Sequence, residues 1–136
     1  MNKVIANGLL FLLLLLPGCS KDIDDKLEGK WQIQETEVDG VKEKTDTIFY
    51  NFQSSYLFMY QIYDKHSEAY FHIYGHKTMK ENNAIYLEMT TPIDSVSPFV
   101  KRTDWDTWNK HFTVEKVTGK QLVLSSDGKR YTFRKY

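Results

Sequence analysis

The chain has 136 residues, one domain of ordinary size and too little for two separate cores. Lys plus Arg number 18 and Asp plus Glu number 18, so the formal charge is zero and the basic surface needed for nucleic-acid phosphates is excluded. A 41% hydrophobic and 26% charged composition excludes a disordered tail, and a single cysteine excludes an intramolecular disulfide and any Cys-x-x-Cys metal or redox site.

Lys3 and the apolar run Leu9 to Leu16 form the positive and hydrophobic parts of an export signal. As a helix those eight residues span roughly 12 Å, well short of the about 30 Å of bilayer hydrocarbon, so a permanent transmembrane helix is not expected. The run ends in Leu16-Pro17-Gly18-Cys19, which resembles the lipobox of bacterial lipoproteins. That resemblance implies cleavage before Cys19 and acylation of that residue by a diacylglyceryl group and an N-acyl chain of palmitate type. Each buried methylene contributes about 0.8 kcal/mol, so several chains hold a protein on a membrane durably. Residues 1–18 are accordingly read as a signal peptide, 19–26 as a polar tether and 27–136 as the folded domain. The resemblance implies anchoring in the bacterial outer membrane, facing either the periplasm or the cell surface. The acidic stretch Asp22-Ile23-Asp24-Asp25 resembles surface-export signals of Bacteroidetes lipoproteins.

The mature chain would carry 118 residues, with 17 positive and 18 negative side chains. No apolar stripe of helical period reaches ten residues in it; period-two runs bounded by turn signals recur instead. Lys30 to Val38 is the first predicted strand, closed by the turn signal Asp39-Gly40. Thr47 to Phe52, Ser55 to Tyr63, Glu68 to Lys77 and Ala84 to Met89 follow, the last after the polar turn Lys80-Glu81-Asn82-Asn83. Thr91 to Asn109 contains Pro92 and Pro98 and reads as a long loop with a helical turn near Trp105. Three strands complete the chain, with Phe112 and Val114, Leu122 and Leu124, and Tyr131 and Phe133 as their apolar faces. Thr118-Gly119 and Asp127-Gly128 separate them at hairpin spacing.

Eight antiparallel strands with short connections predict an all-β, up-and-down barrel, flattened or partly open in one variant, since closure removes the exposed edges of a meander. An all-β sandwich is the competing architecture. Gly29-Lys30-Trp31 resembles the Gly-x-Trp motif that opens the first strand of lipocalins and related calycins. With the lipobox it makes the chain similar to the small lipocalin-like lipoproteins of Bacteroidetes. The resemblance implies that Gly29 admits the chain at one end of the barrel. Trp31 would plug that end beneath a basic side chain of the last strand, Arg134 or Arg130.

Chemistry-bearing constellations are sparse. There is no Gly-x-Ser-x-Gly elbow, no Gly-rich phosphate loop, and no free thiol once Cys19 is acylated. His72 and His76 share a strand face but lie about 13 Å apart along it, too far to ligate one metal, so no metal site and no cofactor are expected. Asp104 and Asp106 flank Trp105, with Trp108 beyond, and read either as a capped turn covering the barrel end or as a glycan-binding or partner loop. Aromatics reach 15%, and Tyr70, His72, Tyr74 and His76 form a stripe that faces outward if Phe71 and Ile73 face inward.

The leading expectation is a non-enzymatic protein that buries a small apolar or amphipathic ligand in a preformed cup. Trp31, Tyr50, Phe52, Phe58, Phe71, Leu87, Phe112 and Tyr131 are the predicted wall positions. The alternatives are an interaction or structural subunit of an envelope complex and a glycan-binding module using the loop Asp104, Trp105, Asp106, Trp108. The partners in view are the membrane through the N-terminal lipid and a small hydrophobic ligand or envelope protein, with no nucleic acid.

Overall fold

The structure, a computed structural model, describes residues 20–81, 83–90 and 100–136. The export signal, Cys19 and the Pro92–Pro98 stretch lie outside the described residues. A helix, α1 (Ser20–Leu27), leads into strands β1 (Gly29–Val38), β2 (Val41–Lys44), β3 (Ile48–Phe52), β4 (Leu57–Asp64) and β5 (Ala69–Met79). Strands β6 (Ala84–Met89), β7 (Asn109–Val117), β8 (Gln121–Ser126) and β9 (Lys129–Lys135) follow. All neighbours are antiparallel in the order β2-β1-β3-β4-β5-β6-β7-β8-β9, and β1 also pairs with β9. That last pairing closes β1 and β3–β9 into an eight-stranded barrel with β2 as an additional strand.

The extra strand follows from how β1 divides its outer edge. Gly29 to Gln32 pair with β3, whereas Glu35 to Val38 pair with β2. Between them the register against β9 shifts from Ile33 to Glu35, a bulge that bends the strand. The upper half of β1 thereby leaves β3 and carries the β1–β2 hairpin outward, opening the wall at that end. Asp39 and Gly40 have φ of 52° and 79°, as do Asp127 and Gly128 with 51° and 78°. Both are the paired positive values that two-residue hairpin turns require.

Alternation then sorts each strand. Tyr50, Phe52, Phe58, Tyr60, Phe112 and Phe133 project inward and are at most 2% exposed. Tyr50 is the hub, with ring centroids 5.3 Å from Phe58, 5.1 Å from Tyr60, 6.0 Å from Phe112 and 4.9 Å from Phe133. The lower and middle barrel is therefore filled by its own rings. Tyr70, His72, Tyr74 and His76 stand exposed on the outer face of β5.

Two sequence expectations for the closed end change. Residues 20–26, read as most of a polar tether, form α1 together with Leu27, and this helix buries Ile23 and Leu27, one turn apart, in the barrel core. Burial of that pair against β-strand rings holds a helix too short to persist alone. Asp24 on α1 pairs with the Lys77 ammonium of β5, whose side chain is wholly buried. The second correction concerns the cation over Trp31. It is Lys135, with Nζ 4.4 Å from the ring and donating to the Glu28 carbonyl at 2.5 Å. Arg134 lies on the outer face, where Nε donates to Gln32 Oε1 at 2.7 Å, and Arg130 pairs with Glu115. Trp31 Nε1 donates to the Leu27 carbonyl at 2.7 Å, which fastens the helix to the strand.

Candidate functional site at the barrel mouth

The end opposite α1 is formed by the later half of β1, the starts of β3, β5 and β9, and the loop before β7. Residues 100–102 make a helical turn there, and the chain then dips inward at Trp105. The turn thus ends three residues before Trp105, the position near which the sequence had placed it. Trp105 is 1% exposed, although it comes from a loop rather than from a strand. Its ring meets Tyr60 edge-on at 5.8 Å and Phe112 at 5.9 Å, and Nε1 donates to the Tyr50 hydroxyl at 3.2 Å. A backbone bond from Trp105 N to Thr103 Oγ1, 3.1 Å, shapes the dip.

Asp104, one residue earlier, remains at the rim. It accepts a short hydrogen bond from the Tyr131 hydroxyl, and Lys129 Nζ lies 2.9 Å from the same oxygen. Burial alone would raise this carboxyl, but the Tyr131 hydroxyl and Lys129 outweigh it and hold the group below its ordinary value. Tyr131 moves the opposite way, raised by burial and by its bond to Asp104. The hydroxyls of Tyr50 and Tyr60 are raised well above the ordinary tyrosine value, chiefly by burial. All three stay neutral donors and acceptors at physiological pH.

Ile33, Ile48, Arg102, Asp104, Lys129 and Tyr131 border a recess of about 220 Å³ at the rim. Arg102 also borders an open groove of about 640 Å³ beside Ile62 and Phe71, with its guanidinium 4.4 Å over the Phe71 ring. Apolar floor, mixed charge at the edge and neutral hydroxyls between them suit an amphipathic guest. The recess alone is smaller than the ~300 Å³ at the low end of ligand pockets.

The predicted wall residues consequently divide. Tyr131 borders the recess and Phe71 the adjoining groove. Trp31, Tyr50, Phe52, Phe58 and Leu87 are inward as expected, but they are fully buried and line none of these openings. Phe112 is inward too, 2% exposed and covered by Trp105. The loop residues separate similarly: Trp105 turns into the mouth and Asp104 borders it at the rim, while Asp106 and Trp108 are exposed and border neither the recess nor the groove. Trp105 and Trp108 therefore do not form the paired surface platform that a sugar-stacking loop needs. Arg102 and Lys129 are rim residues that the sequence reading missed. Lys129 was accessible from its spacing of two before Tyr131, whereas a loop arginine carries no periodic signal.

Among the described residues there is no group of three or more His, Cys, Asp or Glu side chains that could hold a metal. The chain matches the family model of the lipocalin-like domain over residues 12–136. It is similar to an uncharacterized protein from Bacteroides eggerthii of known crystal structure, at 30% identity and a TM-score of 0.70, covering 81% of this chain and 99% of that one. It is also similar to a crystallised lipocalin-like protein from Bacteroides uniformis, at 27% identity and a TM-score of 0.71, covering 82% and 99% respectively. No curated protein matches it.

Proposed function

The chain belongs to the family of lipocalin-like domains, and on that premise we propose that it is a non-enzymatic binding protein. It takes one small amphipathic molecule at the barrel mouth and is held on the bacterial outer membrane through an acylated Cys19. The observation that carries the binding reading is Trp105, an indole that a loop rather than a strand delivers into the mouth end of the barrel. Strand backbones are held by ladder hydrogen bonds and α1 is fastened at the opposite end, so this loop is the part of the mouth that can move. An outward swing vacates the space between Tyr50, Tyr60 and Phe112, inside the rim that carries the 220 Å³ recess, and so enlarges the room for a guest. The guest then has aromatic walls at Tyr60 and Phe112, a hydroxyl at Tyr50, and Arg102 and Lys129 for a polar head. Lipid anchoring is supported by the Leu16-Pro17-Gly18-Cys19 sequence behind its charged and apolar leader.

Trp105 reports on its own displacement. In a Trp108→Phe protein the remaining indoles are Trp31, held under Lys135, and Trp105. Titration with an amphipathic aromatic dye is expected to red-shift the Trp105 emission in step with dye binding. Native mass spectrometry of protein taken from cell envelopes is expected to show a small-molecule adduct. Dye binding with unchanged emission, or no binding at all, would exclude the mouth as the site.

A second reading, docking to an envelope protein, is supported by an exposed stripe on β5 and the bend before β4, where Tyr70 and Tyr74, and Tyr56, are 45%, 51% and 58% exposed. Crosslinking in cells from Tyr74 that recovers no protein neighbour would remove it.

A further inference from the structure

We infer that the α1 end of the barrel sits directly on the anchoring membrane and that the mouth opens away from it. The inference rests on acylation of Cys19, proposed above, and adds what the fold does with that anchor. Cys19 immediately precedes α1, which starts at Ser20. A lipid-anchored domain can tumble when a flexible linker separates it from its acyl chains. Here the linker is replaced by a helix fixed to the barrel in three independent ways. Ile23 and Leu27 are buried in the core, at 7% and 0% exposure. Asp24 is ion-paired with the buried ammonium of Lys77. Trp31 Nε1 grips the Leu27 carbonyl at 2.7 Å, the last residue of the helix.

Strand polarity then sets the direction. The start of β1, the end of β3, the end of β5 and the end of β9 gather around α1 through Trp31, Phe52, Lys77 and Lys135. The opposite strand ends hold Ile48, Phe71 and Tyr131, which border the mouth openings. β5 runs from one end to the other in 11 residues. At the usual rise and barrel tilt this separates the two ends by about 25 Å. A mouth at that height cannot touch the leaflet that holds the anchor. Its guest arrives from the aqueous phase or from a facing surface, and is not drawn out of the protein's own bilayer.

The test uses the full acylated chain in phosphatidylcholine vesicles containing a headgroup-labelled energy-transfer acceptor. Because the chain has one cysteine, a thiol introduced at Lys120→Cys or Lys65→Cys is the only one free for a donor dye once Cys19 is acylated. Lys120 adjoins the base, where its carbonyl accepts from Lys135 N at 3.0 Å, and Lys65 borders the mouth groove; both are exposed. Donor at Lys120→Cys is expected to be quenched severalfold more strongly than donor at Lys65→Cys. Insertion of a flexible Gly/Ser segment between Cys19 and Ser20 is expected to erase that difference while the protein still floats with the vesicles. Equal or reversed quenching in the floating parent protein overturns the orientation alone. Failure to float overturns the anchor and the orientation with it.

Discussion

The ammonium of Lys77 is enclosed at the base of the barrel and ion-paired with Asp24, 53 residues earlier in the chain. The lysine side chain is 0% exposed and the aspartate 19%. A buried cation is tolerated only while its partner stays, and removal of one member of such a pair costs about 3–5 kcal/mol. Because Asp24 retains some water, Asp24→Ala is expected to lower stability by about 3 kcal/mol in urea unfolding, the low end of that range. The double variant Asp24→Ala, Lys77→Met is expected to regain most of the loss, since no charge is then stranded. A single-variant loss within about 0.5 kcal/mol, the range of ordinary surface changes, would mean that α1 is not docked through this pair.

Gly29 and Lys135 form a second lock at the same end. Gly29 has φ of 125°, and a Cβ built there lands on the Lys135 ammonium. Gly29→Ala therefore combines backbone strain of about 1–3 kcal/mol with displacement of the cation from Trp31. Lys135→Ala alone removes the cation–π contact and the bond to Glu28, about 1 kcal/mol together. In Gly29→Ala, Lys135→Ala the clash is gone but the strain persists. Denaturant midpoints should therefore fall in the order Lys135→Ala, then the two Gly29→Ala proteins. A double variant as stable as Lys135→Ala would show that the φ value carries no cost.

These locks also mark where the sequence was legible. The Gly-x-Trp start, the two Asp-Gly turns and the period-two runs placed the barrel strands to within a few residues, because alternation against a single buried interior leaves a strong pattern. β2 left none: Val41-Lys42-Glu43-Lys44 is exposed throughout, so nothing sorts its faces. Its only clue was that a two-residue turn at Asp39-Gly40 needs a partner strand at once. In α1 only Ile23 and Leu27 are apolar, and a spacing of four seen once is no periodicity. The Arg134 assignment failed on parity. Tyr131 and Phe133 face inward, so the next inward residue is Lys135 and Arg134 must face out. The mouth was least readable, since Trp105 and Arg102 arrive on a loop that obeys no period.

Trp105 closes the mouth and also fills it, so its removal separates the two roles. Trp105→Ala is expected to cost about 3 kcal/mol, the low end for large core truncations, because water can enter the vacated space from the rim. Trp105→Phe keeps most of the packing and loses the Tyr50 bond, which is worth about 1 kcal/mol. A small aromatic amphiphile should stabilise Trp105→Ala more than the parent. At a hundredfold excess over its Kd the gain is about 2.7 kcal/mol, read as a rise in urea midpoint. Equal midpoint shifts in the two proteins would place the compound outside the Trp105 slot.

Three tyrosines around the mouth set a stability profile in pH through the protons they keep on folding. Tyr50, Tyr60 and Tyr131 are all raised above the ordinary value of 10.0 in the folded chain, first by burial. Above that pH the unfolded chain loses three protons that the folded chain keeps. Stability must then fall as pH rises, by about 4 kcal/mol per pH unit for three groups. Tyr131→Phe should reduce that slope by about a third. Asp104 acts at the other limb: burial opposes its ionisation, but Tyr131 and Lys129 hold its carboxyl below 3.8. Its contribution is complete above the unfolded value and disappears as pH falls through the lowered one. Asp104→Asn should therefore flatten the acid limb and, because the carboxylate also helps to raise Tyr50, Tyr60 and Tyr131, make the alkaline fall level off at a lower pH. Urea midpoints across both limbs check this. An alkaline slope that Tyr131→Phe leaves untouched would mean that its hydroxyl is already open to water, and that the rim recess is deeper in solution than its bond to Asp104 implies.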